Sequence, residues 1–278
     1  MFRYTKWTFL REISVWIYAL IALSPLYILV NVALKGPEEV HGVPGYEPVK
    51  NPSLESFNLV IFGEKGPALF GGLLTSTIIT TVAVTGLIFF GSVTSYILAR
   101  RMNRLSKTAY YLVLTAIVVP AQLGLVPVYI GAKTLGLLGT PWGMGIIYIG
   151  MLMPLSIMLY TGFIRTLPHE YEEAAYIDGS SRFRTFTRIV FPLLSPVTGT
   201  VAIMTGIIVW NDFFTPLIFM AGSDSPTLGL VIYNFVGGIV TEWNQVFAIL
   251  IIAMLPMTVL YLIFQKKFIQ GFSGGIKS

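Results

Sequence analysis

Apolar residues run along this chain in six long stretches that contain no charged side chain. The stretches cover residues 13–34, 66–99, 108–132, 134–164, 189–211 and 243–265. Each exceeds the roughly 20 residues that cross a hydrocarbon core. Because a backbone in lipid must satisfy its own polar groups, stretches of this length predict helices rather than strands. We therefore predict an all-α membrane protein with six transmembrane helices, at about residues 13–34, 68–99, 108–131, 142–164, 193–219 and 244–264.

Composition supports one membrane domain over residues 1–278. Of the 278 residues, 55% are hydrophobic and only 11% are charged, against roughly 25% charged in an average soluble domain. The first stretch is longer than the core of a secretory signal, and no small-residue cleavage site follows Leu34, so we interpret it as a retained anchor. The chain has no cysteine, which excludes disulfides and thiolate metal sites.

The basic residues predict the orientation of the six helices. When the helices divide the chain into alternating sides, 14 of the 18 Lys and Arg fall on one side. These are Arg3, Lys6, Arg11, Arg100, Arg101, Arg104, Lys107, Arg165, Arg182, Arg184, Arg188, Lys266, Lys267 and Lys277. By the positive-inside rule, both termini and residues 165–192 are cytoplasmic. The net charge of +5 is thus a signal of topology and not of nucleic-acid binding. On the opposite side, residues 36–67 predict a loop that is partly ordered at best.

Two features inside the stretches each allow two interpretations. Thr77, Thr81 and Thr85 recur at every fourth position of the second helix, which suits either close helix packing or a polar stripe along a pore. The fifth stretch contains Trp210, Asn211 and Asp212. At about 1.5 Å per residue, Asp212 lies roughly 25 Å along this helix, near the outer interface. It is either a capped, wetted acid or, with its two neighbours, a candidate for the pathway or its gate.

Residues 165–192 form a charged insert between two apolar stretches. Glu170, Glu172 and Glu173 suit the positive end of a helix dipole, and Gly179 suits the left-handed residue that ends a helix. Ser180 or Ser181 is able to cap a second helix with aromatic and arginine residues on opposite sides. We predict a helix-turn-helix at the membrane surface. From physics alone, an ordinary surface loop with an interfacial amphipathic helix explains the segment about as well.

The spacing of residues in this insert resembles a known family. Glu173-Ala174-Ala175, three residues, Gly179, nine residues and then Ile189-Val190-Phe191-Pro192 is similar to the cytoplasmic motif of inner-membrane permease subunits in binding-protein-dependent ABC importers. Phe191 replaces the usual Leu. Tyr176-Ile177-Asp178-Gly179, Trp210-Asn211-Asp212-Phe213 and the tail from Phe268 to Lys277 resemble the carbohydrate, or maltose-type, branch of that family.

The resemblance implies a subunit that moves a sugar or oligosaccharide inward by alternating access. Its implied partners are a second homologous permease, an ABC ATPase dimer, an extracytoplasmic solute-binding protein and the lipid bilayer of a bacterial or archaeal cell membrane. The insert would couple to the ATPase through Glu172, Glu173, Ala174, Ala175, Asp178, Gly179, Arg182 and Arg184. The tail, residues 266–278, would reach the ATPase through Gly271, Gly274 and Gly275.

The chain itself is predicted not to be an enzyme and to bind no metal or cofactor. It lacks a phosphate-binding loop, so ATP and Mg would be bound by the partner ATPase subunits. His41 and His169 both lie in loops, which gives no catalytic relay within the membrane. The alternative function is an ion-coupled secondary transporter of small polar solutes. That class normally places ionisable groups near the midplane, whereas the six stretches contain none.

Overall fold

A computed structural model describes residues 6–101, 103–236 and 242–273, and no strand occurs within these ranges. The α-helices are α1 (Lys6–Ala33), α2 (Pro37–Gly42), α3 (Glu55–Phe62), α4 (Gly66–Arg100), α5 (Arg104–Val118), α6 (Leu125–Thr134), α7 (Pro141–Ile164), α8 (Glu170–Ile177), α9 (Arg182–Thr185), α10 (Phe191–Leu193), α11 (Ser195–Asn211), α12 (Phe214–Phe219), α13 (Leu228–Val236) and α14 (Trp243–Ser273). This architecture confirms the predicted all-α class.

Four of these helices are long and apolar enough to cross a membrane. They are Trp7–Ala33, Gly66–Arg100, Pro141–Ile164 and Trp243–Ile263. Two further pairs of helices meet the same criteria but bend sharply, by 99° after Val118 and by 72° between Leu193 and Ser195. The number of candidate spans is therefore six if each bent pair crosses as one span.

The predicted third helix, residues 108–131, is not continuous. Helix α5 ends at Val118, a short 3-10 turn occupies Ala121–Gly124, and α6 begins at Leu125. Pro120 explains the break, because proline has no N–H to donate and pushes the preceding residue toward extended backbone. Val119 indeed has φ −74° and ψ 124°. Pro154 has no such effect, since it lies inside the unbroken helix α7.

The predicted fifth helix, residues 193–219, is also interrupted. Helix α11 ends at Asn211, because Asp212 has extended backbone with φ −73° and ψ 122°, and α12 begins two residues later. Before α11, a π-helical turn over Phe186–Val190 lies within the charged insert and leads toward this helix. Such turns are frequent at functional sites, because they add a residue without ending the helix.

The last helix is longer than predicted. It runs from Trp243 to Ser273, whereas the sequence placed its end at about residue 264 and a separate tail at residues 266–278. The lysines at 266 and 267 end the apolar stretch, but lysine and glutamine are good helix formers, so the helix continues into the polar region. Residues 274–278 lie outside the described residues.

The chain divides into two compact units, Met1–Phe70 with Val231–Leu255 and Gly71–Leu230 with Pro256–Ser278. In the first unit, residues 36–67 are more ordered than predicted and contain α2 and α3. Asn31 explains part of this order, because its amide nitrogen donates to the carbonyl oxygens of Gly45, at 2.8 Å, and Glu47, at 2.7 Å. The buried Lys35 side chain also donates a hydrogen bond from Nζ to the carbonyl oxygen of Pro44, at 2.8 Å.

In the second unit, α4 and α7 pack closely because glycines lie at the contact. A Cβ added to Gly91 would lie 2.0 Å from Oγ of Ser156, and one added to Gly145 would lie 2.6 Å from Val82. Ser95 lies one turn beyond Gly91 and donates from Oγ to the carbonyl oxygen of Ile157, at 3.1 Å. The part of α4 around Gly91 and Ser95 therefore packs against α7, as its small residues indicate.

The threonine row of α4 behaves differently. Thr77, Thr81 and Thr85 are exposed and line an open groove of about 540 Å³ together with Trp142. They therefore do not mediate the packing of α4 against the rest of the second unit.

Candidate functional site

The charged insert forms a short helix with a well-defined end. Helix α8 starts at Glu170 with three acidic residues in its first turn, which favours the positive end of its dipole. It ends in a Schellman motif, in which the N–H of Ser180 donates to the carbonyl oxygen of Ala175 and that of Gly179 to Tyr176. Gly179 has φ +76°, a backbone conformation that favours glycine.

The chain then enters a second helical segment. Ser181 adopts extended backbone, and its Oγ accepts a hydrogen bond from the N–H of Arg184, at 3.4 Å. Helix α9 leads into the π-helical turn Phe186–Val190 and, through α10, toward α11. The insert is thus a chain of short helical pieces that ends at a candidate span.

Glu172 fastens this insert to the end of α4. Its Oε1 lies 2.7 Å from Nε of Arg100, and its Oε2 accepts a hydrogen bond from the hydroxyl of Tyr96, at 2.7 Å. Only 11% of the Arg100 side chain and 8% of the Glu172 side chain is exposed. The same guanidinium donates to the carbonyl oxygen of Leu167, at 3.1 Å, and lies 3.3 Å from the ring of His169. Both carboxylate oxygens of this buried acid are therefore paired.

Sequence reasoning missed Tyr96 and Arg100 as members of this site. They lie one helical turn apart, so the two side chains share one face of α4. That spacing at the end of an apolar stretch was the only available signal, because their partner is 72 residues away from Arg100.

Aromatic contacts extend the same attachment. The ring of Phe186 lies 5.1 Å from the ring of Tyr96 and 6.0 Å from that of Phe191, measured between centroids. Tyr160 of α7 is fully buried, and its hydroxyl donates a hydrogen bond to Oγ1 of Thr198 in α11, at 3.0 Å. These contacts join α4, α7, the π-helical turn and α11 into one apolar cluster.

The predicted coupling residues divide into two groups. Glu172 and Ala175 are buried, at 6% and 5% exposure. The other six are exposed: Glu173, Ala174, Asp178, Gly179, Arg182 and Arg184. Two apolar side chains that were not among the predicted coupling residues join this outer surface, Ile177 at 86% and Phe183 at 78% exposure. A cavity of about 750 Å³ lies between the insert and α4.

The three residues predicted for the pathway or its gate are neighbours in the chain but have different surroundings: Trp210, Asn211 and Asp212. Asn211 is exposed, and its amide donates to the carbonyl oxygen of Ile207 in its own helix, at 2.9 Å. Asp212 accepts hydrogen bonds from the hydroxyl of Tyr148, at 2.9 Å, from the N–H of Thr215, at 3.2 Å, and from the Thr215 hydroxyl. It therefore caps the break before α12. Trp210 is half-buried beside it.

The predicted tail contacts are only partly within the structure. Gly271 belongs to α14, whereas Gly274 and Gly275 lie outside the described residues. Within the described side chains, no group of three or more His, Asp or Glu residues is arranged to hold a metal ion.

These features define a polytopic helical membrane protein with a charged insert anchored to one span. Residues 88–274 match the family described as the binding-protein-dependent transport system inner membrane component, and the chain belongs to this family. The match includes the insert, both of its anchoring residues and the break at Asp212. It confirms the resemblance that the sequence motif indicated.

Named relatives cover nearly the whole chain. The chain is 34% identical over 252 residues to the melibiose/raffinose/stachyose import permease protein MelC of Bacillus subtilis, covering 90% of each protein. It is 30% identical over 272 residues to the multiple sugar-binding transport system permease protein MsmG of Streptococcus mutans, covering 96% of each. These relatives are transport subunits.

A solved structure shows the same fold. It is a chain of a bacterial ABC transporter involved in the import of the acidic polysaccharide alginate, with a TM-score of 0.85 and 17% identity. The similarity covers 96% of this chain and 100% of that one.

Proposed function

We propose that this chain is a membrane-spanning permease subunit of an ABC importer for a sugar or oligosaccharide. ATP hydrolysis in partner subunits, which bind ATP and Mg, drives the inward movement, and an extracytoplasmic binding protein delivers the sugar. The carbohydrate assignment is supported by the relatives named for melibiose, raffinose, stachyose and multiple sugars. The chain pairs with a second homologous permease in the multi-pass membrane assembly of a bacterium or archaeon, with both termini cytoplasmic.

The buried attachment of the insert is the observation that carries this proposal. A solvated surface loop needs no buried ion pair, and taking charges out of water is costly unless they are paired and hydrogen-bonded. Here Glu172 is held by both Arg100 and Tyr96, at the end of a 35-residue helix. A force on α8 is therefore transmitted to a candidate span.

The exposed side of the insert is the proposed contact with the ATPase. Ala174 and Gly179 leave room for close approach, while Ile177 offers an apolar anchor next to the charge of Asp178. Central, buried apolar residues carry much of the affinity of protein interfaces. We assign direct contact to the six exposed coupling residues and Ile177, and a supporting role to Glu172 and Ala175.

Replacement of Ile177 by Asp tests the contact without opening the interior of the protein. In the assembled importer with both permeases, the ATPase dimer and the binding protein, Ile177→Asp is expected to lower stimulated ATP hydrolysis and sugar uptake at least tenfold. Such a loss corresponds to about 1.4 kcal/mol or more of binding free energy, which exceeds the roughly 1 kcal/mol that most interface residues cost when truncated.

Leu135→Asp is the matched control, because Leu135 is also an exposed aliphatic residue, at 73%, and lies outside the insert. Equal losses in the two variants would refute docking through this surface. Sugar uptake that continues without ATPase subunits and follows an ion gradient would instead support a secondary transporter.

A further inference from the structure

A second, basic cavity lies where α4, α5 and the start of the insert meet, and it shares Arg100, Arg101 and His169 with the cavity described above. It has a volume of about 400 Å³ and is formed by the end of α4, the start of α5 and the residues that follow α7. Arg100, Arg101, Lys107 and Arg165 line it, and no carboxylate among the described residues does. The predicted coupling surface does not include this cavity.

Most of the positive charge in the cavity is uncompensated. Arg100 is paired with Glu172, but Arg101, Lys107 and Arg165 form no ion pair with any residue in the described ranges. The guanidinium of Arg165 instead lies over the ring of Tyr110, 4.5 Å from its centroid. Like charges that share a small cavity repel one another, and a bound anion relieves this repulsion.

The cavity lies where two candidate spans end. Arg100 is the last residue of one candidate span and Ile164 the last residue of another, so a bilayer crossed by these two helices would have its interface at the level of the cavity. Tyr111 is 65% exposed at its edge, and Leu112 beside it on α5 is equally exposed. Tyrosine is enriched at the level of lipid headgroups, and an exposed leucine suits contact with acyl chains.

We propose that this cavity binds the phosphate headgroup of an anionic phospholipid from the cytoplasmic leaflet. Basic pockets between transmembrane helices on the cytoplasmic side suit such headgroups. Lys107 and Arg165 hold the phosphate, while Tyr111 and Leu112 contact the lipid at the interface. Only the choice of leaflet rests on the proposed function and its orientation; headgroup binding does not depend on docking of an ATPase.

Native mass spectrometry of the purified full chain tests this site. The chain is exchanged in mild detergent with equal amounts of phosphatidylglycerol and phosphatidylcholine. The unmodified chain is expected to retain phosphatidylglycerol preferentially. Lys107→Gln combined with Arg165→Gln is expected to weaken retention about 25-fold, or about fivefold per basic residue removed. Lys107→Arg combined with Arg165→Lys keeps the charge and should keep the lipid.

Arg104→Gln combined with Arg188→Gln is the matched control, since both arginines are exposed on the same predicted side but do not line the cavity. Arg104 is also on α5, one turn from Lys107. An equal loss of lipid in this control would overturn the site in favour of a general attraction to basic surface. Displacement of the lipid by millimolar inorganic phosphate would assign the cavity to a free anion. If Lys107→Gln with Arg165→Gln instead lost ATPase association and retained lipid as the unmodified chain does, the cavity would belong to a protein partner.

Discussion

Two carboxylates of this chain make the same first contact and have different roles. Glu172 and Asp212 each accept a hydrogen bond from a tyrosine hydroxyl, at 2.7 Å from Tyr96 and 2.9 Å from Tyr148. Glu172 also pairs with an arginine 72 residues away, whereas Asp212 bonds to Thr215, only three residues further along the chain. Both acids therefore connect distant parts of the chain, since Tyr148 lies 64 residues from Asp212. They differ in the second bond, which for Glu172 is again to a distant residue and for Asp212 is a local cap at the break before α12.

Of the substitutions that test this comparison, removal of the Arg100 side chain should cause the largest loss of stability. Arg100→Ala leaves Glu172 buried without its cation, which typically costs about 3–5 kcal/mol. Chemical unfolding of the purified chain in mild detergent measures this loss. Arg104→Ala, which removes an exposed arginine nearby, should change the free energy of unfolding by less than about 0.5 kcal/mol. A loss no larger than that of this control would show that the pair does not hold the insert.

Replacement of Asp212 should have a smaller effect. Asp212→Ala removes the cap of α12 and the acceptor for the Tyr148 hydroxyl, and we expect a loss of about 2 kcal/mol of stability. Asn211→Ala is the control, since that amide bonds, among the residues that the structure describes, to the backbone of its own helix. In the assembled importer, Asp212→Ala should retain more ATPase coupling than Arg100→Ala does. A greater loss of coupling in Asp212→Ala would make this acid part of the pathway or its gate.

The apolar stretches predicted the fold class well because lipid imposes strict conditions on a chain. Long stretches without charge must form helices, and this condition holds whatever the helices contact. The break at Pro120 was less predictable, since Pro154 lies in an unbroken helix of the same chain. Whether a proline bends a span depends on the neighbours that supply its missing hydrogen bond.

The candidate site was predictable only in part, because some of its features depend on residues that are distant in the sequence. Local chemistry indicated the helix end at Gly179, because a left-handed residue is needed there whatever lies nearby. The inward orientation of Glu172 depends on Arg100 and Tyr96, which belong to another helix. Likewise, the order in residues 36–67 depends on Asn31, a polar residue inside an apolar stretch whose partners are 14 or more residues away. Contacts between distant residues leave no local pattern in one sequence.

We propose that the pair of Arg100 and Glu172 transmits force from a docked ATPase to the candidate span α4. The most direct test is sugar uptake by the reconstituted importer with the two charges exchanged. Arg100→Glu and Glu172→Arg each place like charges together and should abolish uptake. The double variant restores an opposite pair in the same place and should recover uptake at least tenfold over either single variant, about 1.4 kcal/mol of coupling. Full uptake in either single variant, or no recovery in a double variant that assembles normally, would contradict the claim.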